Sequence, residues 1–275
     1  MAKTQSKDLQ VGRIPFLVCA PYFHASLGGF PGVQFHDGAP RLLNSLLVSG
    51  EIDCAPSSSF EYAVHPDRYV LLPGLCTSGR GEVKSVLLFS REPWEDLESQ
   101  TVFLSPHSAT SNALFQVLCR FHYMVEPECL EPDEGSAFTA KVAIGYEALR
   151  ESHSGRWPYK YDLGEIWKTW QGTPLPFGLW MVRTEAWQNK RQQVIEYYAH
   201  LRSSLASFFA NPSAALKTWS ETYPLPMPVK EALAFFPTAD YELKSEHEIA
   251  LYAFYGYCRQ LGLLRDQPRP RYIAV

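Results

Sequence analysis

Apolar and polar positions along this chain fall into short blocks that switch between strand-like and helix-like periods. After a polar tail of about ten residues, Val11 to Val18 reads as a strand. In Pro40 to Ser49, the residues Leu42, Leu43, Leu46 and Leu47 share one helical face, and Gly50 ends the pattern. Ile52 to Ala55 is a short buried strand running into Pro56-Ser57-Ser58-Ser59. Tyr69 to Leu72 and Ser85 to Ser90 are further strands with a turn at Gly79 to Gly81 between them; Val86-Leu87-Leu88-Phe89 is too apolar to face water. The alternation restarts with a strand at Thr101 to Leu104, a helix over 108–121, a strand near Val125 to Leu130 and a buried strand Val142 to Ile144 ending at Gly145. The stretch 151–175, rich in Trp, Tyr, Gly and Pro, reads as loop, and Phe177 to Val182 as a strand. Helical runs then occupy 187–209, 212–221, 228–236 and 245–262. Strands alternating with helices predict an α/β chain with largely parallel sheets.

In such sheets, ligands collect beyond the carboxyl ends of the strands. Three segments take that position: the Ser57-Ser58-Ser59 turn, the stretch Ser105-Pro106-His107-Ser108-Ala109-Thr110-Ser111, and Gly145. The second joins a strand end to a helix whose Ala109, Ala113, Leu114, Val117 and Leu118 share a face. It gathers unpaired N–H groups and hydroxyls at one point, which suits a carboxylate or phosphate. Taken alone, Ser108 or Thr110 also fits an ordinary helix cap.

Composition narrows the partner. With 275 residues, 46% of them hydrophobic and 14% aromatic, the chain can bury a substantial core as one large domain or two lobes. A net charge of −4 without a basic run argues against nucleic acid. No apolar stretch approaches the roughly 20 residues that span a bilayer, so no membrane contact is expected. Lys3, Lys7 and Arg13 precede the apolar run Ile14 to Ala20, which contains Cys19, but the run is short and bulky Val18 sits where a signal would carry a small residue. Six scattered cysteines without a Cys-x-x-Cys read as core residues of a reducing compartment, and the expected location is the cytoplasm. Eight histidines show no metal-ligand spacing, so no metal is expected. Neither a nucleotide-binding glycine motif nor a nucleophile elbow occurs. Glu61, just after the serine turn, fits either a general base or a partner of Arg68. Nothing in the pattern selects between monomer and homodimer.

Several elements occur together in a fixed order: Gly12-Arg13-Ile14; Gly50 to Tyr62 with its serine turn; His65-Pro66-Asp67-Arg68-Tyr69; Ser85 to Ser90; Ser105 to Ser111; Ile144-Gly145 followed by Ala148-Leu149; Tyr161 to Trp167; and Leu175 to Trp180. In this order, over about residues 11 to 264, the chain resembles the chorismate dehydratases of the futalosine route to menaquinone. The resemblance implies a two-lobed fold like that of type II periplasmic binding proteins. One lobe would comprise 11–95 with 184–275 and the other 96–183, with the ligand between them. It implies removal of water from chorismate to give 3-[(1-carboxyvinyl)oxy]benzoate, without a metal or organic cofactor. Ser108, Thr110 and Ser111 would hold one carboxylate, Ser58 and Ser59 would reach from the opposite lobe, and Ser85, Phe177 and Val18 would line the cleft.

Two positions depart from the family pattern. Gly-Arg-Ile is usually followed by a Ser-Tyr-Leu-Asn type of motif whose asparagine points into the cleft; here Pro15-Phe16-Leu17-Val18 stands instead. Valine cannot form that hydrogen bond. The usual Ile-Gly-Asp is Ile144-Gly145-Tyr146. Two readings follow: an enzyme in which Tyr146 or His107 supplies the polar contact or moves the proton, or a protein that binds or transforms a different small carboxylated ring. Packing alone also accounts for Tyr146, and a solvent-facing turn for His107. Trp157, Tyr159, Tyr161, Trp167 and Trp170 permit an aromatic ligand, or serve the core.

Overall fold

A computed structural model describes residues 7–133 and 135–274; residues 1–6 of the expected tail lie outside the described residues. Its strands are β1 (Leu9–Arg13), β2 (Val33–Asp37), β3 (Cys54–Ser58), β4 (Tyr69–Gly79), β5 (Val86–Ser90), β6 (Thr101–Phe103), β7 (Glu128–Leu130), β8 (Ala140–Ile144), β9 (Tyr159–Asp162), β10 (Pro176–Arg183) and β11 (Ala239–Asp240). They form a six-stranded sheet in the order β11-β4-β10-β3-β1-β2 and a five-stranded sheet in the order β7-β6-β8-β5-β9. No helix among the described residues is long and apolar enough to cross a membrane.

The sheets are mixed, which corrects the expectation of largely parallel pairing. β10 runs antiparallel to both β3 and β4, and β5 antiparallel to both β8 and β9. The reason is where the chain changes sheets. β3 ends at Ser58 and β4 at Gly79, on the same edge, and the returning chain enters beside them at Pro176, paired with Ser78. It can only run back the other way. Likewise β5 enters at Val86 opposite Ile144, the last residue of β8.

This pairing also moves the expected lobe boundaries. The range 11–95 contains β5, yet β5 pairs within the second sheet, and 96–183 contains β10, which pairs within the first. On sheet membership we draw the lobes at the two crossovers, 80–85 and 172–175.

Local chemistry explains most remaining differences. β1 stops at Arg13 rather than Val18, and β7 begins only at Glu128, because Pro15 and Pro127 have no N–H for a ladder. The expected loop 151–175 holds β9 and a helix, Leu163–Gln171. Asp162 caps that helix, Gly172 ends it at φ +78°, and Leu163 and Trp167 are buried with Ile166 and Trp170 packed behind them. The long run over 187–209 is two helices, Thr184–Asn189 and Arg191–Ala210, broken at Lys190. β2, an edge strand with half-exposed polar residues, had no signature in the apolar pattern.

At that break the Lys190 ammonium lies 2.6 Å from the Asp53 carboxylate, both nearly buried. Lys190 also donates to the Asp8 carbonyl at 2.9 Å, and the Gln10 N–H donates to Asp53 at 2.8 Å. The pair therefore ties the helix Arg191–Ala210 to β1 and the start of β3. Glu61, in the helix Ser59–Val64, does not meet Arg68, whose guanidinium donates to the Val48 carbonyl instead. Its nearest polar neighbours are the Tyr69 hydroxyl at 3.4 Å and His65 Nε2 at 3.8 Å. Burial pushes the Glu61 carboxyl up to about 7, against smaller opposing effects of Tyr69 and Arg68.

Lys190→Met leaves Asp53 charged and buried, and is expected to cost about 3–5 kcal/mol in a chemical denaturation experiment. For Glu61 the sign follows from a folded value above the ordinary 4.5. The folded state keeps the proton longer, so this group's contribution to stability is full below about pH 4.5 and is lost as pH rises through about 7. Glu61→Gln is expected to flatten that decline in a series of melting temperatures from pH 4.5 to 8, and to melt higher than the wild type at pH 8.

Candidate functional site

The edges where the chain crosses between sheets face one another across a cleft enclosing about 90 Å³. From the first lobe come Phe16 and Val18 after β1, Ser57 and Ser58 of β3, Thr77 and Ser78 of β4, and Phe177 and Gly178 of β10. From the second come Ser108 and Ser111 at the start of the helix Ala109–Leu118, together with Ile144 and Gly145 at the end of β8. Val83 and Ser85 enter from the crossover itself. The three strand-end motifs picked out in the sequence thus share one space. The volume is well below the roughly 300 Å³ of ordinary small-molecule pockets.

One hydroxyl joins the lobes. Thr110 Oγ1 lies 2.6 Å from Ser58 Oγ and 3.2 Å from Ser59 Oγ, accepts the Phe60 N–H at 3.0 Å and reaches the Phe177 carbonyl at 3.3 Å. The Thr110 N–H donates to Ser58 Oγ at 3.0 Å. Beside it, Ser108 caps the helix: its Oγ accepts the Ser111 N–H at 3.2 Å and lies 2.9 Å from Ser111 Oγ. These hydroxyls satisfy one another, and each can turn toward a carboxylate.

The strand register sets a second polar point. Gly178 pairs with Ser58 on one side and Thr77 on the other, so Ser58 and Thr77 stand two strands, about 10 Å, apart. Gly178 between them presents bare backbone. Thr77, Ser78 and Ser85 also line the cleft; Ser78 donates to the Leu175 carbonyl and Ser85 to the Val83 carbonyl.

Among the expected site residues, Ser58, Ser85, Ser108, Ser111, Val18 and Phe177 line the cleft, and Ser59 and Thr110 lie directly behind it. Tyr146 and His107 do not line it. His107 is exposed in the turn before the helix, its N–H donating to Ser105 Oγ. Tyr146 packs its ring against Phe16, with centroids 5.6 Å apart, and buries its hydroxyl beside Trp219. Burial pushes that phenol up, so it stays protonated. Gly145 holds φ +55°, and a Cβ there would lie 2.9 Å from the Phe16 ring, which leaves glycine as the only fit.

Sequence reasoning missed Phe16, Cys19, Thr77, Ser78, Val83, Phe235 and Ala239 as lining residues. Phe16 stood next to a marked position; Phe235 arrives from a C-terminal helix and Ala239 from β11, and no local signal announces that. No cleft-lining side chain among the described residues carries a charge at neutral pH. Burial pushes the Cys19 thiol up to about 12, which keeps it from acting as a thiolate.

Asp240, Glu246 and His247 form a compact cluster beside the cleft, Asp240 pairing with Ser78 in the sheet. His247 Nδ1 accepts the Lys244 N–H at 3.1 Å, so the neutral ring keeps its proton on Nε2 and has no lone pair there for a metal. Lys244 Nζ already stands 3.6 Å from Asp240.

Comparison with known proteins agrees with this architecture. A protein of Archaeoglobus fulgidus solved by X-ray crystallography superposes with a TM-score of 0.74 at 18% identity, over 94% of this chain and 100% of that one. The periplasmic aliphatic sulphonate binding protein of Escherichia coli gives 0.65 at 14% identity, over 96% and 95%. These matches establish a periplasmic-binding-protein-like fold. The chorismate dehydratase of Thermus thermophilus is 31% identical over 166 residues, which cover 56% of this chain and 58% of that protein. The sequence pattern of the menaquinone biosynthesis family matches residues 9–260, and on that extent the chain belongs to this family.

Proposed function

We propose that the protein is a chorismate dehydratase, converting chorismate to 3-[(1-carboxyvinyl)oxy]benzoate in the futalosine route to menaquinone. The observation that carries this reading is a set of hydroxyls on a cleft with no charged lining side chain among the described residues: Ser58, Ser108 and Ser111 at helix starts, Thr77 and Ser78 two strands from Ser58, and Ser85 from the crossover. Two carboxylates on one compact ring fit such a set. The ring would face Phe16, Val18, Ile144 and Phe177. Aromatisation supplies the driving force, so the protein's work is to orient the acid and exclude water.

The elimination needs a base, and among the described residues the cleft's own side chains offer none. Chorismate brings two carboxylates, and one of them, held against the ring by the hydroxyls, takes the ring proton and passes it to the leaving hydroxyl, which departs as water and returns the carboxylate to its ionised form. Free cysteines, five of them buried, suit a reducing compartment, and we place the protein in the cytoplasm.

The lack of a titrating side chain also favours a second reading, a protein that binds a carboxylated ring without transforming it. Incubation of the purified protein with chorismate, followed by mass spectrometry, separates the two. The dehydratase reading expects catalytic turnover to a product lighter by one water. Unchanged chorismate with a raised melting temperature would establish the binder. Val18→Asn restores an amide facing the cleft and is expected to raise turnover by about tenfold or more if that hydrogen bond is missing from the reaction.

A further inference from the structure

The stretch Tyr161 to Trp167 belongs to the family resemblance, yet none of it lines the cleft. Its Asp162 uses both carboxylate oxygens. Oδ1 accepts the N–H groups of Gly164 at 3.0 Å and Glu165 at 3.1 Å, which caps the helix Leu163–Gln171. Oδ2 accepts the N–H groups of Val83 at 2.8 Å and Lys84 at 2.7 Å, both in the crossover between β4 and β5. A cap needs only one oxygen; the second fixes the segment by which the chain changes lobes.

That segment needs fixing. Lys84 sits at φ +62°, a conformation unfavourable for a residue with a side chain. Val83 is held between two glycines: a Cβ at Gly79 would lie 2.6 Å, and one at Gly164 2.1 Å, from Val83 Cγ2. Both Val83 and Ser85 line the cleft, and the Ser85 carbonyl accepts the Gly145 N–H at 2.8 Å. The crossover therefore links Asp162 outside the cleft to two side chains inside it and to the end of β8.

We propose that Asp162 is a positioning residue, whose carboxylate sets the crossover 80–85 and so presents Val83 and Ser85 to the ligand. The ligand part of this proposal rests on the reading of the cleft given above. Asp162→Asn keeps the shape but replaces one acceptor oxygen with a donor. Amide hydrogen exchange in the ligand-free protein reads the clamp directly: exchange at Val83 and Lys84 is expected to accelerate by about tenfold or more. Calorimetry with chorismate reads the positioning, with Kd expected to rise by about tenfold. Leu201→Ala, in the buried face of the helix Arg191–Ala210, serves as a control that lowers the melting temperature without touching the cleft. Unchanged exchange at Val83 and Lys84 in Asp162→Asn would overturn the proposal. So would a Kd that stays with that of the control while only the melting temperature falls. Wild-type protein without affinity for chorismate would remove the proposed substrate, and the exchange result would then decide the clamp by itself.

Discussion

The constraint on which this structure depends is that the chain must pass between two sheets twice at one edge. β4 leaves the first sheet at Gly79, and β10 re-enters it at Pro176, one strand position away. Because the return strand starts at the edge where β3 and β4 end, it runs antiparallel to both. Its first residues, Phe177 and Gly178, are therefore set among Ser58, Thr77 and Ser78. The cleft is a direct product of that geometry. Strand ends, with their free backbone groups, meet there from both lobes, and no separate loop has to be built to make a site.

A cleft made of strand ends and hydroxyls treats charge in a particular way. The chain is net negative, and no cation among the described residues lines the space, so an acid bound there would be held by oriented dipoles. In the closed structure those dipoles already satisfy one another: Thr110 with Ser58, and Ser108 with Ser111. A carboxylate replaces existing hydrogen bonds rather than adding to unmet ones. Its net gain is the stronger, charge-assisted bond, less the hydroxyl pairs it displaces. Such a site distinguishes ligands by where their acceptors fall more than by total charge.

What the sequence disclosed was local. The helix at Pro40–Ser49, the capped start at Ser108, the serine turn after β3 and the glycine after β8 all follow from nearest neighbours along the chain, and these supply Ser57, Ser58, Ser108 and Ser111 of the cleft's polar wall. What it concealed was either pairwise or masked. The helix Leu163–Gln171 hid within a segment whose glycines and prolines read as loop, although Asp162 and Gly172 mark its ends. Strand direction is fixed by the crossovers, which no period reveals. The second role of Asp162 joins residues 79 positions apart, and Phe235 reaches the cleft only after the C-terminal helices fold back onto the first lobe.

The two departures from the family pattern are unequal, and packing decides which one bears on chemistry. At 146 the ring lies against Phe16 and the hydroxyl is buried beside Trp219, outside the cleft. The phenol is a wedge between lobes, its direction set by Phe16 and by the positive φ of Gly145. A carboxylate in that apolar setting would be expensive to bury, so an aromatic partner for Phe16 and the absence of Asp belong together. Val18 differs. Its side chain faces the cleft, while its carbonyl accepts the Tyr241 hydroxyl at 2.9 Å and fixes its backbone. The position is rigidly aimed, and only the chemistry of its side chain has changed. On the dehydratase reading proposed above, residue 18 is therefore the departure that would bear on the chemistry.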